Sequence, residues 1–431
     1  MTISISRSYS SQRLGIGLLR SMLPSIGQQE SGFMVAVVVI VALVLSLGFT
    51  NHPPGEAGLD WQNGVKLVVW SGLVGWGLLR WRLLAPLVFR PAGAILAFLS
   101  VLAMLSSFWS PVPLYTMGCA IGFIAYVVLG GLAARNLSPD TVLNTLLWSI
   151  TVFIALGLMA IVIVPDTAWL PPSVEENVYR LQGLAGNPNS MGHHAALYIV
   201  LAMACFTRGL IGLKALGFHA ALGLTSLLLS GDRTVLLALL LTTGLSTMRH
   251  FMWARWCGCI LACLLAMTLF FYASGLGPSL RETLQQFSRT GSIDEIMTLT
   301  GRTEIWSAAV ERLLERPMFG WGFNGTEGIM TASMQAGFSG TAVNAHNMYL
   351  QLTLGLGVVG FFPGFTLAIF FARAYVKNPL PYRDLIVGLI LFNGLAEADI
   401  FATPVLTGFI FFWLLLREQS QAPERYPPRE I

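Results

Sequence analysis

The chain has 431 residues, 55% of them hydrophobic and only 11% charged, with a formal net charge of +4. Apolar runs long enough to cross a bilayer recur along nearly its whole length, which makes it a polytopic membrane protein. The runs lack the alternating segments of an outer-membrane barrel, and unpaired backbone groups are costly in hydrocarbon, so each is read as a helix and the fold class as all-α.

Segment 1–31 precedes the first run and carries Arg7, Arg13 and Arg20. It reads as cytoplasmic; the run that follows is long, lacks a small-residue cleavage site and leads at once into further runs, unlike a removable signal peptide. Spans are expected near 32–49, 64–79, 92–109, 114–133, 141–164, 190–207, 211–229, 233–248 and 254–275, a transmembrane block covering 32–275. A long outer, periplasmic loop occupies 276–346 between spans 9 and 10. Three more spans, near 347–372, 384–397 and 403–416, fill the block 347–416, and the tail 417–431 is rich in Pro and charge.

Twelve spans from a cytoplasmic start return the C-terminus to the cytoplasm. Lys and Arg agree: they gather in the segments this puts inside, among them Arg80, Arg82, Arg90, Arg249, Arg255, Arg373 and Arg383, while acids lean outward. The net charge is thus a topology signal. No basic patch with interleaved aromatics speaks for nucleic acid. Cys119, Cys205, Cys257, Cys259 and Cys263 fall within spans and read as small packing residues.

Within the long loop, Ile305, Trp306, Ala309, Val310, Leu313 and Leu314 recur at helical spacing against Glu304, Ser307, Glu311, Arg312 and Glu315. An amphipathic helix over 303–316, lying along the outer membrane surface, is expected. Pro317 ends it, and Gly320, Gly322 and Gly325 then permit a sharp turn and close approach of a ligand; a flexible connector is the plainer alternative.

Several short stretches carry the chemistry: RLQGLAGNPNSMG from Arg180 to Gly192, SGDRT from Ser230 to Thr234, TGRTEIW from Thr300 to Trp306, PMFGWGFNG from Pro317 to Gly325 and AHNMY from Ala345 to Tyr349. Taken in order, they resemble the O-antigen ligase and Wzy-type polymerase superfamily. TGRTEIW with the glycine-rich turn is most similar to the ExoQ-type exopolysaccharide polymerases. Where the family often has a second serine before the arginine, this chain has Gly231 and Asp232.

The resemblance implies a metal-independent, inverting sugar transfer at the periplasmic face of the bacterial inner membrane. Its donor is an undecaprenyl diphosphate-linked glycan, and its acceptor a glycan or lipid A core. A chain-length regulator or a flippase is an implied partner, beside the membrane lipids themselves; no cofactor is implied. Such an enzyme must hold a diphosphate leaving group and activate a hydroxyl.

Arginine suits the first task, since its fork binds phosphate oxygens bidentately and keeps its charge. Arg180, Arg233 and Arg302 all fall at the outer face. Local alternatives are an exposed pair of Arg180 with Glu175 or Glu176, an ion pair of Arg233 with Asp232, and a contact of Arg302 with Glu304. His346 suits the second task as general base, with Asn344 as N-cap of the following helix; a capping or interfacial histidine is its alternative.

Asn187, Asn189, His193, Asn347 and Trp321 are candidates for substrate binding, against helix capping for the asparagines and interface anchoring for the tryptophan. His219 and Asn393 read as helix contacts, Lys66 as snorkelling, and Glu397 with Asp399 as outer acids able to orient an acceptor sugar. No cluster has metal-ligand spacing. A transporter of lipid-linked sugars is the reading from another class, disfavoured because the charges gather at one face rather than at the midplane.

Overall fold

A computed structural model of the chain describes residues 26–48, 61–172, 178–247, 302–326, 329–330 and 344–420. In chain order the helices are α1 (Ile26–Leu43), α2 (Trp61–Leu79), α3 (Trp81–Val88), α4 (Pro91–Leu105), α5 (Pro113–Asn136), α6 (Pro139–Ile163), the single turn α7 (Pro165–Ala168) and α8 (Pro188–Thr207). They continue as α9 (Leu213–Ser230), α10 (Arg233–Thr247), α11 (Arg302–Glu315), α12 (Met348–Lys377), α13 (Pro381–Asn393) and α14 (Leu406–Ser420).

Proline fixes many of the starts. It opens α4, α5, α6, α8 and α13, where a missing N–H costs no helical hydrogen bond and φ is already set. Side chains satisfy other starting amides: Ser138 caps α6, Asn187 caps α8 and Asn347 caps α12.

Every apolar run of the sequence except 254–275, which lies outside the described residues, contains a helix. Among the described residues, six helices are long and apolar enough to cross a membrane: α4 with its 3-10 extension, α5, α6, α8, α9 and α12. The pair α2 and α3, bent by 85°, would make a seventh, and the apolar stretches Ser31–Leu43 and Arg233–Ser246 are shorter. The described helices therefore fall short of twelve full spans. α13 and α14 have 13 and 15 residues and include Arg383, Asp384, Arg417 and Glu418, so neither is a uniform apolar rod.

α8 lies at the centre, packed by α6, α9, α10 and α13, and its residues from Ala195 to Ala202 are all buried. A second layer joins α5 to α2 and α14 through Tyr126, Phe409, Phe412 and Trp413. His219 serves the helix contact expected of it, its Nδ1 lying 2.6 Å from the Tyr198 hydroxyl of α8. Cys119 and Cys205 are buried packing residues; Cys257, Cys259 and Cys263 lie outside the described residues. Outward-facing Val68, Phe98, Leu156, Phe218 and Ile369 are exposed, as a lipid-facing surface requires.

Two departures from the expected pattern shape the site. Strand β1 (Trp169–Leu170) pairs antiparallel with β2 (Arg180–Leu181), so the segment before α8 is a small hairpin that carries Arg180. α12 is broken at Gly357, whose φ of 64° is left-handed. The glycine-rich turn after α11 lies in that break: Trp321 N donates to Leu354 O at 3.0 Å, Gly322 N to Gly355 O at 2.8 Å and Val358 N to Pro317 O at 2.9 Å. Freed backbone groups of α12 are thereby satisfied by another backbone. The turn makes its close approach to a helix.

The amphipathic helix expected at 303–316 is α11. Its Ile305 and Ala309 are buried against Ala345 and Leu354, with Trp306 and Leu313 beside them, whereas Leu314 and Val310 are exposed. The single apolar face read from the sequence divides, one part covering α12 and the other facing outward.

Candidate active site

Five segments meet at one end of the bundle: the β2 hairpin with the start of α8, the α9–α10 turn, the start of α11, the turn before α12, and the stretch between α13 and α14. Arg180, only 8% exposed, donates from Nε to Ser230 O at 2.9 Å and from Nη2 to Asn189 Oδ1 at 2.6 Å. Its guanidinium thus ties the hairpin to the start of α8 and the end of α9. Asn187 supplies the cap, accepting from Asn189 N at 2.8 Å and Ser190 N at 3.4 Å. Glu175 and Glu176 lie outside the described residues.

One turn into α8, His193 Nε2 lies 3.0 Å from Asn393 Nδ2 and 3.9 Å from Asp232 Oδ2. α8 approaches this closely because residue 192 is glycine: a Cβ there would lie 2.6 Å from Asp232 Cβ. Asp232 is buried and turns to the start of α10, where its Oδ1 accepts from Thr234 N at 3.1 Å and Val235 N at 3.2 Å. Arg233, the first residue of α10, is exposed.

Arg302 opens α11. Its Nη1 donates to Thr234 Oγ1 at 3.1 Å and its Nη2 to Glu397 Oε1. The other oxygen of Glu397 lies 3.2 Å from His346 Nδ1, so one buried carboxylate joins the arginine to the imidazole. This partner of Arg302 lies 95 positions away in sequence. Glu397, beyond the end of α13, is pushed up by burial, but the His346 hydrogen bond and the charges of His346, Arg302 and His193 overcome that and hold its carboxyl at about 2. Asp399 nearby is raised instead: its burial outweighs His193 and the hydrogen bond from Thr407. Neither acid is left as a plain outer-face carboxylate.

His346 has a φ of 42°, a left-handed backbone that costs a non-glycine residue about 1 kcal/mol or more. The turn is held from several sides. His346 N donates to Asn344 Oδ1 at 2.9 Å, Trp306 Nε1 to Ala345 O at 2.9 Å, and Ala345 N to Gln351 Oε1 at 2.9 Å. Gln351, 1% exposed, also donates to Asn324 Oδ1 at 3.0 Å and Thr326 Oγ1 at 2.9 Å, so the glycine-rich segment and the histidine turn share one buried amide.

The cap of α12 is Asn347 rather than Asn344: it accepts from Tyr349 N at 3.0 Å and Leu350 N at 2.9 Å and donates to Leu395 O at 2.9 Å. With Nδ1–H directed at Glu397, the imidazole presents Nε2 as its proton acceptor.

Arg180, Asn189, His193, Arg302 and His346 are therefore connected through Ser230, Asp232, Thr234 and Glu397. Trp321 is engaged elsewhere: its Nε1 donates to Arg312 O at 2.8 Å, and the Arg316 guanidinium lies 4.0 Å over its ring. The sequence reading missed Gln351 and Thr234 and gave Glu397 another task. The available signals were an acid beside a long apolar run and a glutamine one turn inside a helix that starts with an asparagine cap. Among the described residues no three His, Cys, Asp or Glu side chains gather as a metal-binding group.

This architecture defines a polytopic helical membrane protein whose polar site lies at one end of the bundle, built around a buried Arg–Glu–His cluster. Residues 218–363, from within α9 to the middle of α12, match the family model described as O-antigen ligase. Arg233, Arg302, Trp321 and His346 fall inside the match; Arg180, His193 and Glu397 fall outside it. No curated protein matches the chain.

Proposed function

We propose that the protein transfers a glycan from a polyprenyl diphosphate carrier to an acceptor sugar hydroxyl at the outer face of the inner membrane, lengthening a lipid-linked polysaccharide. The observation that carries this reading is the attachment of Arg302 and His346 to the two oxygens of Glu397, a pairing of an anion-binding group with an oriented base. The family match, which includes Arg302 and His346, supports it.

In the proposed step the acceptor oxygen attacks the anomeric carbon as its proton passes to His346 Nε2. The bond from that carbon to the diphosphate oxygen breaks, and the electron pair leaves with the diphosphate. Glu397 orients His346 and stabilises the imidazolium that forms. Arg302, with Arg233 exposed at the start of α10, faces the charge growing on the leaving group. Arg180 holds the hairpin and the α9–α10 turn in register. No step calls on a metal or a cofactor.

The test is purified protein with an undecaprenyl diphosphate-linked repeat unit, scored by product length for wild type, His346→Ala and Arg302→Ala. A ladder lost in both variants supports polymerisation. The family description favours a second reading, ligation, in which the same donor site serves lipid A core as acceptor; transfer seen only when that acceptor is added selects it. Absence of transfer to either acceptor refutes both.

A further inference from the structure

The end of the bundle opposite His346 carries a different constellation. There the last turns of α12 face the end of α14 across a cleft of about 220 Å³. Phe370, Ala374 and Leu415 give it an apolar wall, and Arg373 and Lys377, one helical turn apart, stand at its edge. Both cations are exposed, and neither has an ion-pair or hydrogen-bond partner among the described residues.

The acid that lines the cleft, Glu418, is already matched. Its Oε2 accepts from Arg383 Nη1 at 2.8 Å, and Arg383 also holds Asp384 at 2.7 Å. Gln419, at the same wall, accepts from Ala92 N at 2.9 Å. Glu418 and Gln419 are thus engaged elsewhere, and two positive charges remain over the hollow. The negative end of the α12 dipole accounts for cations in its last turn. It does not account for the hollow between the two helix ends, where an acyl chain fits and water gains little.

We propose that this cleft binds an anionic phospholipid, its phosphate between Arg373 and Lys377 and an acyl chain against Phe370, Ala374 and Leu415. Both parts of the ligand are needed: the headgroup charge answers the cations, and the chain fills the apolar wall. Such a lipid would bridge α12, which begins beside His346, to α14.

The test uses the full chain in nanodiscs of phosphatidylcholine and phosphatidylglycerol in equal parts, with retained lipid counted by native mass spectrometry. Wild type should keep phosphatidylglycerol in preference to phosphatidylcholine. Arg373→Gln with Lys377→Gln should lower that retention roughly 30-fold, from about two interfacial cations' worth of attraction. Ala374→Trp, which fills the cleft and leaves both charges, should lower it as well, while Arg82→Gln, at another exposed arginine, should not. Monodisperse elution and an unchanged unfolding temperature in phosphatidylcholine alone check that the variants fold, and Ala374→Met replaces the tryptophan variant if that one does not. Retention unchanged in the double variant overturns the proposal. So does retention that survives filling of the cleft, which would mean surface charge alone, or displacement of the lipid by equimolar glycerol phosphate, which would mean an anion site with no use for the chain.

Discussion

Replacing Glu397 by Gln keeps the size of the side chain and removes the charge that Arg302 and His346 share. The magnitude follows from the carboxyl itself, held at about 2 against an ordinary value of 4.5. Each unit of such a difference is worth about 1.4 kcal/mol, so the ionised carboxylate contributes about 3 kcal/mol to the folded state. Stranding one partner of a buried ion pair costs about 3–5 kcal/mol, which agrees in size. Because the folded value is depressed, the contribution is fully present above the ordinary carboxyl value and is lost as pH falls towards the folded one.

Equilibrium unfolding in mixed micelles, followed by tryptophan fluorescence, should therefore show wild type more stable than Glu397→Gln by about 3 kcal/mol at neutral pH. The gap should close as pH falls from about 4.5 towards 2. Adding Arg302→Met to Glu397→Gln should recover part of the neutral-pH loss, since the stranded guanidinium goes with its partner. A gap that stays constant across the acid range, or a variant as stable as wild type at neutral pH, would refute the view that this buried carboxylate is held ionised by Arg302 and His346.

Three further substitutions probe the parts around that cluster. Arg302→Lys keeps the charge but cannot reach Thr234 and Glu397 together, so transfer from the lipid-linked donor should fall at least about tenfold; activity equal to wild type would argue against a role for the fork. Gly357→Ala places a Cβ 2.1 Å from Met318 O at a left-handed φ, and should cost about 3 kcal/mol or more of unfolding free energy by the same micelle assay. Gln351→Met nearly preserves volume while leaving Ala345 N, Asn324 and Thr326 short of a partner; kcat should drop with little change in donor KM, as expected if the amide acts by positioning His346. A KM effect alone would place Gln351 on the donor side instead.

The helical, membrane-embedded character of the chain was legible because its causes are local. Runs of apolar residues, prolines at first turns and capping side chains such as Ser138 and Asn187 act within a few positions of themselves. The candidate site residues stand out as types: a few arginines and a histidine among so few charges. Their partners do not. The acids nearest Arg302 and Arg233 in sequence are Glu304 and Asp232, while the Glu397 that pairs with Arg302 lies beyond α13.

The same limit explains the two asparagines near His346. Asn344 and Asn347 both suit an N-cap, and what separates them is the left-handed His346 between them, its ring held by Glu397 and the preceding Ala345 by Trp306 and Gln351. The bend between α2 and α3 has no glycine or proline at Arg80 to announce it, and the break in α12 is satisfied by the backbone of residues 317–322, upstream of the helix. In each case the decisive contact answers a buried charge or an opened backbone group, and in an apolar interior such a group takes its partner from whichever segment passes closest. Local spacing therefore shows which residues need partners, and only the packing of the helices decides which partner each receives.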